Sequence, residues 1–309
     1  MATAALHVPV MVREVVEALR AAEGGWFVDC TLGMGGHARA VLDRSPDVSV
    51  LGVDRDEEAL GRAREALSSF GPRFRSLHGN FKDTAAWAAQ LPEAPAGVLA
   101  DLGVSLLQLK GGRGFSFRDG GSLDMRMDTS RGETAEAFLA RATEAELRDV
   151  IRRFGEEPFA ARIARAIVAT REDSPIHDAA TLADVVASAV PRRFHGDLHP
   201  ATRTFQALRI AVNGELEGLD AFFRAAAAAL KPGGRLVVLA YHSLEDRIAK
   251  EALRDMARGC VCPPKMPVCG CGRVPVLRLP SARAARPSAE EVARNPASRS
   301  ARMRVGEKL

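Results

Sequence analysis

A glycine-rich turn between an apolar run and a helical run is the first stretch of the chain in which we expect chemistry. FVDCTLGMGGH, residues 27–37, is followed by VLGVD, which ends in Asp54. Gly33, Gly35 and Ala38 satisfy the dinucleotide fingerprint G-x-G-x-x-G/A, with Asp54 at about the spacing of a ribose-hydroxyl acceptor. A pocket for S-adenosylmethionine needs the same features, because a side chain in the turn would block the backbone from the ligand. The turn alone leaves NAD, S-adenosylmethionine and a purely structural turn open.

Two further acidic residues and the last apolar strand favour S-adenosylmethionine. Asp29, just before the glycines, suits the amine of an amino-acid tail and would repel a pyrophosphate. Asp101 ends the fourth apolar run, at the sheet edge where ligands bind in such folds. KPGGRLVVLAY, residues 231–241, with the two short β-rich runs after it, suits the closing antiparallel hairpin of a methyltransferase sheet. We therefore predict S-adenosylmethionine as the cofactor.

Apolar strands that alternate with helices must position these residues. We expect strands at FVDC, VSVLGVD, RFRSLHG, AGVLADLGV and RLVVLAY, with short β-rich runs at VPVLRL and SARMRV. Such alternation implies a parallel sheet covered by helices on both faces. The predicted fold class is α/β, a Rossmann-like S-adenosylmethionine-dependent methyltransferase sheet with an inserted all-helical domain.

A change of pattern after Gln108 indicates the inserted domain. KGGRGFSFRDGGSLDMRMD is a glycine- and charge-rich loop longer than a routine connection, and such loops are usually functional or disordered. Helical patterns then continue, without a strand, to a last helical stretch over residues 201–230. We expect a first part of the methyltransferase domain at 1–108, the loop with an inserted helical domain at 109–218, and a second part with a basic tail at 219–309.

The composition is that of a soluble globular protein with an uneven distribution of charge. The 309 residues are 47% hydrophobic and 27% charged, with a formal net charge of +4. Arg and Lys outnumber Glu from Ser281 to Leu309; such a tail favours polyanions such as nucleic acid, although a solvated tail has the same composition. There is no signal-peptide pattern and no apolar run of the roughly 20 residues that a membrane helix needs. We expect a cytoplasmic protein with no membrane partner.

Four of the five cysteines form one cluster in RGCVCPPKMPVCGC. Their C-x-C-x6-C-x-C spacing can place four thiolates around one structural zinc, whereas the usual zinc ribbon has C-x-x-C pairs. Free thiols are the alternative, since a disulfide is not expected in a cytoplasmic protein. The fifth cysteine, Cys30, lies in an apolar strand and is expected in the core. The candidate zinc ligands are Cys260, Cys262, Cys269 and Cys271.

Short stretches along the chain occur in the order of a known family. They are HVPVMVREVV, VDCTLGMGGHARAVL, GVDRDEEAL, DLGVS with Gln108, RGFSF, LDMRMD, FGEE with RIARAIV, HPATRTFQALRIAVN, HSLEDRIAK and NPASRSARMR. They extend from His7 to Arg304, nearly the whole chain, and RGFSF…LDMRMD and HSLEDR are far more specific than a glycine motif. In these stretches the chain resembles the bacterial 16S rRNA (cytosine-N4)-methyltransferase family, RsmH or MraW.

The resemblance implies an enzyme that transfers a methyl group from S-adenosylmethionine to N4 of a decoding-centre cytidine in 16S rRNA. The implied partner is the assembled 30S subunit, with no DNA. Leu106, Leu107 and Lys110 depart from the family's usual Ser-Ser-Pro-Gln-Leu-Asp type of run, and Tyr241 stands where a Phe is typical; both departures bear on fine geometry rather than on activity. Position by position, the implied cofactor residues are Gly35, Gly36, His37, Asp54, Phe81, Asp101 and Gln108.

Each implied cofactor residue has a physical role and a structural alternative. The N–H groups of the Gly35–His37 turn can hold the donor's carboxylate at a helix start, where a histidine is also a simple helix-start residue. Asp54 accepts from the ribose hydroxyls or caps the following helix. Phe81 covers the adenine face or packs in the core. Asp101 with Gln108 binds the adenine edge or the donor amine, or the two are purely structural.

Cytosine N4 is a poor nucleophile, because its lone pair is delocalised into the ring. Catalysis should rest on in-line positioning, with an acceptor that holds N4 so that its lone pair faces the methyl group. The Asn/Asp-Pro-Pro-aromatic run of many exocyclic-amine methyltransferases is absent, because the corresponding place reads DLGVS. For Asp124 and Arg126 the alternative is an internal ion pair, and for His242 it is a capping or core role. The candidates for the cytidine pocket are Asp124, Arg126, His242, Ser243 and Glu245.

The target base must leave its stack to be reached, which a single-stranded ribosomal loop allows. Sequence alone does not sort phosphate contacts from solvated helix faces, and it gives neither an oligomeric state nor a general base. The rival functions are an NAD-dependent oxidoreductase, a non-catalytic ribosome-binding factor, and a DNA cytosine-N4 methyltransferase, which should carry the Pro-Pro run. The arginines of the helical region considered for RNA contact are Arg152, Arg153, Arg162, Arg165, Arg192, Arg193, Arg203 and Arg209.

Overall fold

The computed structural model describes residues 9–105, 108–109, 111–117, 121–196, 198–263 and 268–309. Leu106, Leu107 and Lys110, which depart from the family pattern, lie outside the described residues. Within the part of the chain that is described, no helix is long and apolar enough to cross a membrane.

The chain divides into two compact units, of which the first comprises Met1–Gly103 and Gly218–Leu309. Its strands are β1 (Gly25–Asp29), β2 (Val48–Asp54), β3 (Phe74–His78), β4 (Gly97–Asp101), β5 (Arg235–Ala240), β6 (Leu277–Arg278) and β7 (Arg302–Lys308). They form one seven-stranded sheet with the order β3-β2-β1-β4-β5-β7-β6. β1 to β5 are parallel, and β7 is antiparallel to both β5 and β6. The predicted α/β class with a closing antiparallel strand is confirmed.

Helices cover this sheet, and their apolar faces form its core. Val12–Leu19 contributes Val15 and Leu19 to a buried cluster that also holds residues of β1, β2, β4 and β5. Continuous burial of the central strands is what a sheet with two covered faces requires. The helices of this unit are Val12–Leu19, Gly36–Leu42, Glu57–Ala66, Thr84–Ala88, Leu219–Ala229, Ser243–Ala257 and Ala289–Arg294.

Two helical predictions in this unit were inaccurate. The stretch DEEALGRAREALSSF, residues 56–70, has a helical pattern that predicts one helix, but the α-helix ends at Ala66 and the chain continues as a 3-10 helix over Ser68–Arg73. Pro72 and a left-handed Gly71 (φ 55°) in that segment do not fit a continuing α-helix. The short helix Thr84–Ala88 was not predicted.

The second unit, Val104–Glu217, is helical. Its core includes Leu147 and Ile151 of one helix and Ile163 and Ile167 of the next, and each pair is four residues apart, as expected on one face of a helix. The stretch predicted as helical over residues 201–230 is interrupted, because Gly214 adopts a left-handed conformation (φ 55°) that ends the preceding helix. The helices of this unit are Ala135–Arg141, Glu144–Gly155, Ala160–Asp173, Ala179–Ala189 and Thr202–Asn213.

Candidate functional site

Three aspartates end neighbouring parallel strands of the first unit. Asp29, Asp54 and Asp101 are the last residues of β1, β2 and β4, and β1 lies between the other two strands. The carboxyl ends of parallel strands share one edge of a sheet, which is where open α/β sheets bind ligands. The edge therefore concentrates negative charge at the predicted cofactor site.

Asp29 is the most buried of the three carboxylates. Burial raises its pKa to about 6, and the nearby His37 opposes that shift. Its Oδ1 accepts from the N–H of Thr31 at 3.2 Å, whereas its Oδ2 has no partner among the described residues. An unpaired, buried carboxylate oxygen is costly, so this atom is suited to accept from a ligand.

Asp101 is surrounded by polar groups. Its N–H donates to Oγ1 of Thr31 at 2.7 Å, and its Oδ2 lies 3.6 Å from Nδ1 of His37. Tyr241 lies close enough for the Asp101 carboxylate, together with burial, to raise the pKa of its phenol. Oδ1 of Asp101 is buried without a hydrogen-bond partner in the described part of the chain. Asp101 thus offers a second acceptor at the same edge.

His37 lies in the first turn of the helix Gly36–Leu42 and is buried. Its Nε2 is 2.9 Å from the carbonyl oxygen of Val10, so Nε2 must carry the hydrogen. Nδ1, which faces Asp101, is therefore protonated only when the ring is charged. His37 thus lies between a backbone carbonyl and the carboxylate edge, and its role toward the donor stays a prediction.

The glycines of the turn are required for different reasons. Gly35 has a left-handed φ of 80°, and a Cβ on Gly36 would meet Cγ of Pro9 at 2.2 Å. The N–H of Gly35 donates to the carbonyl of Leu32 at 2.8 Å, and its predicted contact with the donor's carboxylate stays a prediction. The N–H groups of Gly36 and His37 remain in a first helical turn, where no intrahelical carbonyl accepts them.

Asp54 fastens the glycine turn to the second strand. Its Oδ2 accepts from the N–H of Gly33 at 2.7 Å, and its Oδ1 accepts from the N–H of Asp56 at 2.9 Å. Burial raises the pKa of Asp54, and these two bonds oppose the shift. The alternative in which Asp54 caps the next helix is excluded, because Asp56 holds the capping position and accepts from Ala59. Each carboxylate oxygen keeps a second lone pair for a ribose hydroxyl.

Phe81 and Gln108 complete the predicted cofactor set. Phe81 is half-buried and packs edge-to-face on Phe222, with ring centroids 4.7 Å apart. Gln108 belongs to the second unit, where its Oε1 accepts from the N–H of Ser105 at 3.0 Å and its own N–H donates to Oγ of Ser105. Their predicted contacts with adenine stay predictions.

Asp124 and Arg126, in the second unit, form a bidentate ion pair. Nε and Nη2 of Arg126 donate to the two carboxylate oxygens at 2.7 and 2.8 Å. Partial burial raises the pKa of Asp124, but the hydrogen bonds from Arg126 outweigh burial and hold that pKa below its ordinary value. Met125 between them is buried with a left-handed φ of 56°, a conformation that costs roughly 1–2 kcal/mol. Asn213 holds this segment, because it donates to the carbonyl of Met125 and accepts from the N–H of Met127.

His242, Ser243 and Glu245 follow β5 in the first unit and begin the helix Ser243–Ala257. His242 caps that helix, and the buried Glu245 accepts from the N–H of Tyr241 at 3.1 Å. Nδ1 of His242 accepts from the N–H of Glu245 at 3.5 Å, and its Nε2 lies 3.0 Å from Oε1 of Glu245. The capping role is therefore present, and a role toward the base stays a prediction.

A pocket of about 130 Å³ lies beside this helix start, within the first unit. His242 and Ser243 line one part of it, and three arginines line another, namely Arg286, Arg299 and Arg302. The arginines come from the basic tail, which therefore meets the strand edge rather than lying apart from it. Such a pocket suits a phosphate group, because guanidinium groups bind phosphate oxygens with directional hydrogen bonds.

The four clustered cysteines also lie in the first unit, in the connection between the helix Ser243–Ala257 and β6. All four Sγ atoms lie within 4.8 Å of one another. Backbone N–H groups of Val261 and Arg273 lower the pKa of Cys271 to about 6. Cys30 is buried in the core, as predicted.

Sequence reasoning missed three positioning residues of these two regions. Thr31 accepts from the N–H of Asp101, and Tyr241 lies beside the Asp101 carboxylate. Asn213 holds the loop around Met125. Tyr241 was noted only as a departure from a Phe. Thr31 had a signal, because it lies between Asp29 and the glycines, but pairing with a strand far along the chain is not visible in a local pattern.

Comparison with known proteins finds a family that matches nearly the whole chain. The family model described as the MraW methylase family matches residues 4–309. A protein from Trichlorobacter lovleyi named ribosomal RNA small subunit methyltransferase H is 50% identical over 307 residues, covering 98% of each chain. A protein of the same name from Pelobacter propionicus is 49% identical over 308 residues, again covering 98% of each chain.

Among solved structures, an rRNA methylase from Streptococcus thermophilus aligns over 100% of this chain and 99% of its own. Its sequence identity is 12% and its TM-score 0.40, a likeness too weak to carry an argument about the site. The family match across residues 4–309 and the 50% identity to a relative covered over 98% of its length are sufficient to assign the family. This chain belongs to the MraW methylase family.

Proposed function

We propose that the chain transfers a methyl group from S-adenosylmethionine to the exocyclic N4 of a decoding-centre cytidine in 16S rRNA, within the 30S subunit. Membership of the MraW methylase family supports methyl transfer, and the names of the relatives support ribosomal RNA of the small subunit as the substrate. The observation that carries the proposal is the edge of one sheet, where buried carboxylates and an arginine-lined pocket follow adjacent strands.

S-adenosylmethionine fits the residues at this edge. Oδ2 of Asp29 and Oδ1 of Asp101 are buried acceptors without a described partner, and leaving such groups unpaired costs roughly 1–3 kcal/mol each. A ligand with an ammonium group would pair with them. Asp54 would accept from the ribose hydroxyls, and the N–H groups of Gly36 and His37 would donate to the donor's carboxylate. Each of these groups has a counterpart in S-adenosylmethionine.

RNA is supported by the positive and aromatic groups of both units. In the first unit, the arginine-lined pocket beside His242 suits a phosphate of the target strand. In the second unit, Arg193 lies over the ring of Phe194 with 5.0 Å between its guanidinium carbon and the ring centroid, and Phe194 is 55% exposed. An exposed aromatic ring beside an arginine is typical of surfaces that stack unpaired bases.

Methyl transfer at N4 requires positioning more than a strong base. When bound, S-adenosylmethionine would supply an activated methyl group on its sulfonium sulfur, with the thioether as the leaving group. The attacking nitrogen then becomes positive and loses its proton readily, so a strong base is not needed. The side chains of His242 and Glu245 accept from backbone N–H groups, and Nε2 of His242 lies 3.0 Å from Oε1 of Glu245, so we assign both residues to positioning. The reaction needs no metal, and we give the four cysteines no part in it.

The proposal is tested by incubating the full chain with labelled S-adenosylmethionine and 30S subunits that lack this methylation, followed by nucleoside mass spectrometry. We expect a new N4-methylcytidine peak, absent from subunits methylated beforehand. Asp101→Asn should bind 30S subunits as the wild type does and transfer little.

The other outcomes separate the rival functions. Transfer to another nucleoside would overturn the assigned target. Donor binding with no transfer to 30S subunits, 16S rRNA or DNA would favour a binding factor. Tight binding of NAD without binding of S-adenosylhomocysteine would overturn the cofactor.

A further inference from the structure

The four clustered cysteines are arranged as a compact group rather than as two pairs. Sγ of Cys269 lies 3.5 Å from Sγ of Cys260 and 3.5 Å from Sγ of Cys271, and Cys271 lies 3.9 Å from Cys260. Sγ of Cys262 lies within 4.8 Å of the other three. Near-equal distances of this kind indicate a shared centre.

These distances match the edges of a tetrahedron around one metal ion. A Zn–S bond of about 2.3 Å in tetrahedral geometry places the sulfur atoms about 3.8 Å apart. A disulfide would instead bring two sulfur atoms to about 2.05 Å. An iron–sulfur cluster would distribute the thiolates over several irons and separate them further. One tetrahedral ion is the arrangement that the sulfur positions fit.

Among its described residues, 258–263 and 268–276, the connection around these cysteines buries little apolar surface. Val261, Val268 and Val274, among its described residues, are 41%, 76% and 76% exposed, so apolar burial does not order it. The contacts at its two ends belong to the neighbouring elements. Arg273 pairs with Asp255 of the preceding helix at 2.7 Å, and the N–H of Val276 donates to the carbonyl of Met256 at 2.8 Å. A short segment without a core usually needs a metal or a disulfide to order it.

A hydrogen bond within the group also suits thiolates. The N–H of Cys262 donates to Sγ of Cys260 at 3.4 Å. Such a bond stabilises negative charge on sulfur, which metal binding requires.

We propose that Cys260, Cys262, Cys269 and Cys271 bind one Zn²⁺ as a tetrathiolate, and that this ion orders the connection between the helix Ser243–Ala257 and β6. The site is structural, because four protein ligands leave no position for a substrate. The ion secures the exit from that helix before the chain enters the basic tail, and it is independent of the methyl-transfer site.

The test starts from the full chain expressed in zinc-supplemented medium and purified reduced, without chelator and without a metal-affinity column. Elemental analysis should give one zinc per chain for the wild type and for Cys30→Ala, and almost none for Cys260→Ser with Cys271→Ser. Exchange with Co²⁺ should give the intense visible absorption of tetrahedral cobalt bound to thiolates, in the wild type and Cys30→Ala alone.

A measurement on the wild type protects the test against a variant that fails to fold. Removal of zinc with a chelator should make trypsin cleave at Arg258 and Arg273 at least about tenfold faster, while binding of S-adenosylhomocysteine persists. Well under one zinc per chain in the wild type, an octahedral cobalt spectrum, or equal cleavage with and without zinc would each overturn the proposal.

Discussion

Nδ1 of His37 lies 3.6 Å from Oδ2 of Asp101, and both side chains are largely buried. Because Nε2 of the same ring is bound to the carbonyl of Val10, the imidazole cannot turn away from the carboxylate without losing that bond. The bond to Val10 therefore holds the ring with its Nδ1 beside the carboxylate that ends β4. This relationship makes His37 a positioning residue for the proposed donor site.

We expect His37→Gln to weaken binding of S-adenosylhomocysteine by roughly 2- to 10-fold, the range of one lost neutral hydrogen bond, because the bond to the carbonyl of Val10 no longer holds the ring beside Asp101. Isothermal titration calorimetry measures the affinity directly. His177→Gln is the matched control, because His177 is exposed and contacts Glu136 in the second unit. Unchanged affinity in His37→Gln with a folded protein would remove His37 from the donor site.

Because the pKa of Asp29 is raised in the folded chain, we expect the stability of the protein to depend on pH. Its pKa is about 6 in the folded chain against 3.8 for an unperturbed group, so the folded state binds the proton more tightly. Stability should therefore fall as pH rises from about 4 to about 6, by roughly 2–3 kcal/mol in all. Asp29→Asn removes this loss, so its free energy of unfolding should exceed that of the wild type more at about pH 7 than at about pH 4.

Urea unfolding of both proteins at the two pH values tests this expectation, with the exposed Asp43→Asn as the control. An equal stability difference at both pH values would show that Asp29 does not titrate in this window. Pairing of Asp29 with a donor ammonium should also release protons on binding near pH 6, which the buffer dependence of the binding enthalpy detects.

His242 combines a cap with a proposed role toward the base, and two substitutions separate these roles. Asparagine is a good N-cap, so His242→Asn should keep the stability of the helix Ser243–Ala257, whereas His242→Ala should lose about 1 kcal/mol. If the imidazole positions cytidine, both variants should lower kcat at least about tenfold with unchanged donor affinity. Full turnover by His242→Asn would leave capping as the sole role.

The ion pair of Asp124 and Arg126 gives a prediction for the second unit. We expect Asp124→Asn to lower kcat for 30S subunits by about tenfold or more and to leave donor affinity unchanged, because the strained segment around Met125 is built to present this pair. Glu133→Gln is matched, since Glu133 forms a bidentate pair with Arg141 in the same unit. Wild-type turnover by Asp124→Asn would refute a role in the cytidine pocket.

Much of the fold was predictable because the periodic patterns are strong. The apolar run of β2 and the glycine turn before the helix Gly36–Leu42 are local features, and both occur where the sequence predicts them. Thr84–Ala88 was missed because five residues are too few to show a helical period. The break at Gly214 was missed because apolar residues continue on both sides of it, although its left-handed conformation is what glycine permits.

The site was predictable to the extent that it depends on strand ends. Asp29, Asp54 and Asp101 were found because parallel strands bring their carboxyl ends to one edge. The sequence did not predict which donor and acceptor atoms of the site are already engaged in hydrogen bonds within the protein. The N–H of Gly35 is bound to Leu32, and His242 is engaged by Glu245, and only three-dimensional distances reveal such competition.

The arginine-lined pocket predicts a selective loss of RNA affinity. Arg286→Glu places a negative charge in the pocket beside His242, so binding to 30S subunits should weaken by at least about tenfold. The dependence of log Kd on log salt concentration should become shallower by about one, as expected for one lost phosphate contact. Arg283→Glu is the matched control, because Arg283 is an exposed arginine of the same tail that does not line the pocket. Filter binding over a salt series measures both quantities, with binding of S-adenosylhomocysteine as the check on folding. Equal losses in the two variants would show that the tail acts by its total charge, and no loss in either would place RNA recognition outside the tail.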